Sequence, residues 1–164
     1  MIIEYVKKDN EVRSPNRSNP SDAGLDVYAN LSESITISPG ENRTIPTGLR
    51  FGIPHGYMLQ VCNRSSMGAK RSLIVGAHII DSGYDGEVFI DLHNIGYESQ
   101  IIANQDKIAQ LVLVPVVHFR ARQSNTDSLY QDQGITMSNR GSGALGSTDK
   151  KEVHPLSNMP GGGF

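Results

Sequence analysis

The stretch GYMLQVCN, Gly56–Asn63, decides the fold class. Its side chains alternate, with Tyr57, Leu59 and Val61 on one face and Met58, Gln60 and Cys62 on the other. A period of two is the period of a strand, because successive Cβ atoms point to opposite sides of the pleat. The same alternation recurs on either side of it. SITIS (34–38) sets Ile35 and Ile37 together. EVFIDLHN (87–94) sets Val88, Ile90 and Leu92 against Glu87, Phe89, Asp91 and His93. KIAQLVLVPVV (107–117) is apolar on both faces, which predicts a strand buried on both sides and ended near Pro115. Glycines and prolines punctuate these short runs, as they do in an all-β sandwich, barrel or jelly roll. One short helix is predicted at SSMGAKRSL (65–73), with Ser65 or Ser66 as its cap. SPNRSNPSDAG (14–24) reads as a loop, and IIDSGYDGEV (79–88) as strand, tight turn, strand, the simplest form being a hairpin.

The chain has 164 residues, 37% hydrophobic and 20% charged, enough for one domain with a core. A formal net charge of −2 supplies no global field toward polymeric nucleic acid or a membrane surface. No run approaches the roughly 20 apolar residues of a membrane span, and the start MIIEYVKKDN lacks a signal-peptide core. The single cysteine, Cys62, excludes an internal disulfide and suits a reducing, cytoplasmic setting. From Gln123 onward the chain turns polar and rich in Gly and Ser, which predicts a β-domain over 1–122 followed by a flexible arm over 123–164.

Several short segments carry chemistry. DAGLDVYA (22–29) places Asp22 and Asp26 where a loop enters a strand. Turn statistics explain it without function, but a carboxylate there can also hold a hydrated magnesium, a hard cation that keeps its waters. NRSSMG (63–68) brings Arg64 and the hydroxyls of Ser65 and Ser66 to a helix start, where phosphate is attracted. Asp81 and Tyr84 lie in the turn of IIDSGYDGEV, the first suited to activating a water, the second to packing on a ring. Gln110 sits inside a core strand and needs partners for its amide. NRGSGALGSTDK (139–150) offers many N–H donors and Arg140 but lacks the P-loop spacing.

In order and spacing these segments resemble the five motifs of the trimeric dUTPase family, over roughly Ile2 to Asp149. The resemblance implies a homotrimer of jelly-roll-like subunits, each a distorted barrel of short strands with one short helix, and active sites shared between subunits. It implies hydrolysis of dUTP to dUMP and pyrophosphate with Mg2+, which limits uracil in DNA and supplies dUMP for dTMP synthesis. It implies a cytoplasmic protein, or one of the host cytoplasm if viral. Carried over motif by motif, Asp81 activates the water that attacks the α-phosphorus, and Asp26 holds magnesium through water. Arg64, Ser65 and Ser66 contact phosphates, with Gln110 beside them. Backbone around Val75, Gly76, His78 and Ile79 reads uracil, and Tyr84 packs under the deoxyribose. Arg140, Gly146, Ser147 and Thr148 close on the γ-phosphate, and Leu145 covers the base.

The chain also departs from the family pattern. His78 stands where glycine is usual, Leu145 replaces an aromatic or His, and Asp85 replaces a cationic or amide residue. A tail runs on to PGGGF. The related dCTP deaminases share an AH-x-ID sequence and carry a catalytic Glu ten residues after its Asp; here that position is Asp91, whose simpler reading is a solvated acid. A dCTP-acting enzyme is therefore the first alternative, and a non-catalytic nucleotide-binding regulator the second.

Overall fold

A computed structural model describes residues 1–127 and 129. The chain divides into a unit spanning Met1–Phe119 and one spanning Arg120–Phe164. The described residues of the second are in neither helix nor strand. The first holds eleven short strands and one helix: β1 (Tyr5–Lys7), β2 (Leu25–Tyr28), β3 (Ile35–Ile37), β4 (Asn42–Pro46), β5 (Leu49–Phe51), β6 (Tyr57–Cys62), α1 (Ser65–Arg71), β7 (Leu73–Val75), β8 (Ile79–Asp81), β9 (Phe89–Asn94), β10 (Gln100–Ile102) and β11 (Lys107–Pro115).

Every pairing is antiparallel. A four-stranded sheet runs β2-β11-β6-β8, and a three-stranded sheet runs β4-β9-β7. Two-stranded ribbons, β1-β5 and β10-β3, complete an all-β, jelly-roll-like unit whose sheets do not close into a barrel. The inward faces are those the alternation selects. Leu59 and Val61 of β6, Ile90 and Leu92 of β9 and Leu111 of β11 are buried in one core with Ile37, Ile45 and Leu73. Burial of this kind stabilises by about 25 cal/mol per Å² of apolar surface removed from water. No helix among the described residues is long and apolar enough to cross a membrane.

The structure differs from the sequence expectations in three places. β11 is fully buried only at Ile108, Ala109 and Leu111; Val112, Leu113 and Val114 are half-buried, the two valines on the side they share with Gln60 and Met58 of β6. The helix is capped at Arg64, with no side-chain cap hydrogen bond, so Ser65 and Ser66 are its first two residues rather than its cap. The turn after Asp81 does not close a hairpin. β8 pairs with β6 in one sheet and β9 with β4 and β7 in the other, so the turn carries the chain between sheets. Gly83, at φ +86°, supplies the left-handed residue that this bend requires.

Candidate functional site

The predicted residues fall into two groups at opposite ends of β6. The first gathers where β2, β11 and the end of β6 meet. Gln110 stands opposite Asp26 on β2 and opposite Cys62 on β6. Its amide Nε2 donates to the Asn63 carbonyl at 2.9 Å. Gly24 lies so close to Gln110 that a Cβ there would be 2.8 Å from Oε1. Arg64 Nε donates to Asp26 Oδ1 at 2.8 Å, and Lys107 Nζ lies 2.7 Å from Oδ2. Ser18 Oγ donates to Oδ2 at 3.2 Å. Burial alone would push the Asp26 carboxyl up; the Lys107 hydrogen bond and the Arg64 charge and hydrogen bond outweigh it and hold the pKa below the ordinary value. Arg64 Nη1 reaches Ser66 Oγ and the Lys107 carbonyl, each at 3.4 Å. Ser65 is exposed at the start of α1. With Asp26 ionised between two cations, the group keeps one net positive charge, the sign that a phosphate needs.

Lys107 was missed by the sequence reading. A lysine opening a strand is commonplace, and its partner is set only by the β11–β2 register. Asp22, by contrast, is the turn residue that its composition suggests: its carboxylate accepts the Asn19 N–H at 2.8 Å.

The second group lies on β8 and the turn after it. Val61 N–H donates to the His78 carbonyl at 2.8 Å, which fixes the phase of the β6–β8 ladder. In an antiparallel pair the bonded residues alternate. Ile80 therefore faces Leu59 within the ladder, while the N–H and C=O of Ile79 and Asp81 point away from β6. β8 is the last strand of its sheet, so they point to an open edge. The Asp81 carbonyl takes the Tyr84 N–H, at 3.3 Å. Asp81 is exposed, and among the described residues no group bonds its carboxylate. Tyr84 is set by its hydroxyl, which donates to the Glu87 carbonyl at 2.9 Å, and by Gly86, where any Cβ would collide with the phenol. Ile79, Asp81, Tyr84, Glu87 and Phe89 line a cleft of about 240 Å³.

The remaining residues of the segment sit between these groups. Val75 N–H donates to Asn63 Oδ1 at 2.7 Å and Gly76 N–H to the Asp91 carbonyl at 2.9 Å, so both donors are engaged. The His78 ring is turned back onto the sheet, its Nδ1 2.9 Å from the Val61 carbonyl, so Nδ1 carries the proton. Asp85 does not confront an anion unpaired: Arg50 Nη1 lies 3.1 Å from its carboxylate. Asp91 is not a solvated acid. It is half-buried, accepting Asn42 Nδ2 at 2.8 Å on one oxygen and lying 2.8 Å from His93 Nε2 on the other. Burial opposes its ionisation, but those two hydrogen bonds hold its pKa below the ordinary value. It belongs to the β4-β9-β7 sheet, whereas Asp81 belongs to the other. Arg140, Leu145, Gly146, Ser147 and Thr148 lie outside the described residues.

Among the described residues no group of three or more His, Cys, Asp or Glu can hold a metal ion directly. The donors at Asp26 suit a different arrangement. One carboxylate faced by two cations is a poor inner ligand for magnesium, yet Oδ1 retains an acceptor position for a metal-bound water.

A profile of the dUTPase family matches residues 10–148. The deoxyuridine 5'-triphosphate nucleotidohydrolase of Desulfitobacterium hafniense is 36% identical over 149 residues, covering 89% of this chain and 93% of that protein. The enzyme of the same name from Laribacter hongkongensis is 37% identical over 142 residues, covering 85% and 90%. The solved dUTPase of Staphylococcus bacteriophage 80alpha with dUpNHpp superposes with a TM-score of 0.74 at 25% identity, covering 89% of this chain and 97% of its own. A mutant dUTPase from phage phi11 of S. aureus, which coordinates a structural Mg(II) ion, has the same fold at a TM-score of 0.70 and 24% identity, covering 77% and 98%. Motif order, the two clusters on β6 and these likenesses agree: the chain belongs to the dUTPase family.

Proposed function

We propose that this chain hydrolyses dUTP to dUMP and pyrophosphate at sites built from more than one subunit of a homotrimer. The observation that carries this is the separation of the two groups. Asp81 is level with Met58 and Arg64 lies six residues further along the chain, about 20 Å at the strand rise of ~3.3 Å per residue. No triphosphate spans that distance while keeping its α-phosphate at Asp81. A site that needs both groups takes the base and water-activating half from one subunit and the phosphate half from another. The C-terminal segment 123–164, with Arg140, Ser147 and Thr148, is the part proposed to close on the γ-phosphate.

The edge at Ile79 supports a choice of base. It offers an N–H donor and a C=O acceptor side by side, and these match the O4 acceptor and N3–H donor of uracil. Cytosine carries an amino donor at position 4 and a bare N3, so both contacts would oppose like with like. Tyr84, fixed by Glu87 and Gly86, forms a wall against the sugar, where a 2′-hydroxyl would be crowded. The unengaged carboxylate of Asp81 is suited to take a proton from water as its oxygen attacks the α-phosphorus. The α–β bridging bond then breaks, and pyrophosphate leaves with that electron pair. Arg64, Ser66 and Gln110 orient the departing phosphates. Magnesium, brought with the triphosphate and touching Asp26 through water, would neutralise phosphate charge.

Incubation with dUTP, UTP and dCTP in the presence of magnesium tests this. Pyrophosphate is expected from dUTP alone, and Asp81→Asn is expected to abolish it while dUTP still binds by calorimetry. Ammonia release from dCTP, or full activity of Asp81→Asn, would refute the reading.

A further inference from the structure

We propose that Asn63 is a positioning residue for base recognition, because its side chain ties the segment that leads to Ile79 to the phosphate half-site. The inference rests on the function proposed above. Asn63 joins β6 to Arg64, the cap of α1. Although it is exposed, both of its oxygens are occupied. Oδ1 accepts the Val75 N–H at 2.7 Å, and the main-chain oxygen accepts Gln110 Nε2–H at 2.9 Å.

The Val75 bond has a specific cause. Val75 stands opposite Leu92, between the bonded pairs Ile74–His93 and Gly76–Asp91 of the β7–β9 ladder. By the antiparallel alternation its N–H faces away from β9. β7 is the last strand of its sheet, so no other strand meets that N–H, and the Val75 side chain is buried. Asn63, coming from the end of β6 in the other sheet, supplies the missing carbonyl. It thereby links the two sheets at the corner where the chain leaves β7 for β8. On the opposite side of this corner, Gly76 is held by the Asp91 carbonyl, and the Asp91–His93 pair fills the place of any side chain.

The corner is thus held from both sides, and Ile79 follows it by three residues. Removing the Asn63 side-chain carbonyl frees one side while leaving Ile79, Asp81 and Arg64 unchanged. Its effect should fall on the alignment of the Ile79 edge with the base. A residue that merely satisfied a turn would alter stability and leave discrimination between bases untouched.

The test is the ratio of the Ki for dCTP to the KM for dUTP. Both nucleotides carry the same deoxyribose triphosphate, so changes confined to the phosphate half-site cancel. Asn63→Ala is expected to lower the ratio about five- to tenfold, the scale of one lost hydrogen bond, with kcat within about twofold. Asn63→Asp keeps the Oδ1 acceptor and should restore the ratio, even if its added charge raises the KM for dUTP. Should Asn63→Ala fail to fold, Asn63→Gln moves the amide by one carbon and should show the same loss. A ratio unchanged in the folded variant, or an Asp variant no better than Ala, overturns the inference. Absence of dUTP turnover in the wild type would instead sink the proposed function. In that case the ratio of dissociation constants for dCMP and dUMP, with the same expected and refuting results, decides the role of Asn63.

Discussion

The distance between Asp81 and Arg64 can be tested by mixing two dead subunits. Asp81→Asn should lower kcat by about 10²–10⁴-fold, the usual worth of a general base. Arg64→Ala removes the phosphate fork and leaves Asp26 with Lys107 as its remaining cationic partner. Each homotrimer alone should be nearly inactive. If a site takes Asp81 from one subunit and Arg64 from another, a random one-to-one mixture of the variants rebuilds some sites from two intact halves. Each half is intact with a chance of about one in two, so about one quarter of wild-type activity returns. Sites confined to one chain would recover nothing. The converse mixture, wild type with an Asp81→Asn/Arg64→Ala chain, separates the cases again: shared sites fall to about one quarter and single-chain sites to about one half. Two affinity tags and native mass spectrometry verify that mixed trimers form and count their subunits, and pyrophosphate release measures the activity of the unfractionated mixture. Activity no higher than the sum of the parents, in verified mixed trimers, would refute the reasoning from β6.

Three further outcomes are expected. Asp26 has its pKa lowered in the fold, so its contribution to stability is complete above the ordinary aspartate value and disappears as pH falls through the lowered one. Urea midpoints of wild type and Asp26→Asn should therefore differ at neutral pH and converge below the ordinary carboxylate range. Gly76→Ala should lower stability by about 1–3 kcal/mol, because its methyl collides with the Asp91–His93 pair; adding His93→Ala should recover part of the loss in a thermal melt. Arg50→Ala should raise the KM for dUTP by about two- to threefold at low salt, by leaving Asp85 unpaired near the nucleotide, and the effect should fade as salt is added.

Alternation was enough to place β6 and β9, because one face of each is buried and the other is not. It overstated β11, since an apolar residue at a half-covered position looks in sequence like one in a core; Val112 and Val114 are of that kind. Local turn chemistry located the bend after Asp81 but not its partners, which β6 and β9 determine from different sheets. The same limit explains the residues that were missed. Lys107 and Asp26 are far apart in the chain and meet through strand register, and Asn63 acquires its role only because β7 ends a sheet. Asp85, which departs from the family's cationic or amide residue, is paired with Arg50 on β5, a partner distant in the chain.

The open edge of β8 has one more consequence. A bare strand edge invites another polypeptide to pair with it, and folds commonly shorten or blunt such edges. Here the strand is three residues long, the Asp81 carbonyl is already taken by Tyr84, and the His78 ring is folded back onto Val61. What is left at Ile79 is one donor and one acceptor, a landing of single-ring width. Such an edge keeps one full rung, at Ile79, and only the Asp81 N–H beyond it, which is too little for a passing chain to extend the sheet, and the proposed base contact would use that same rung.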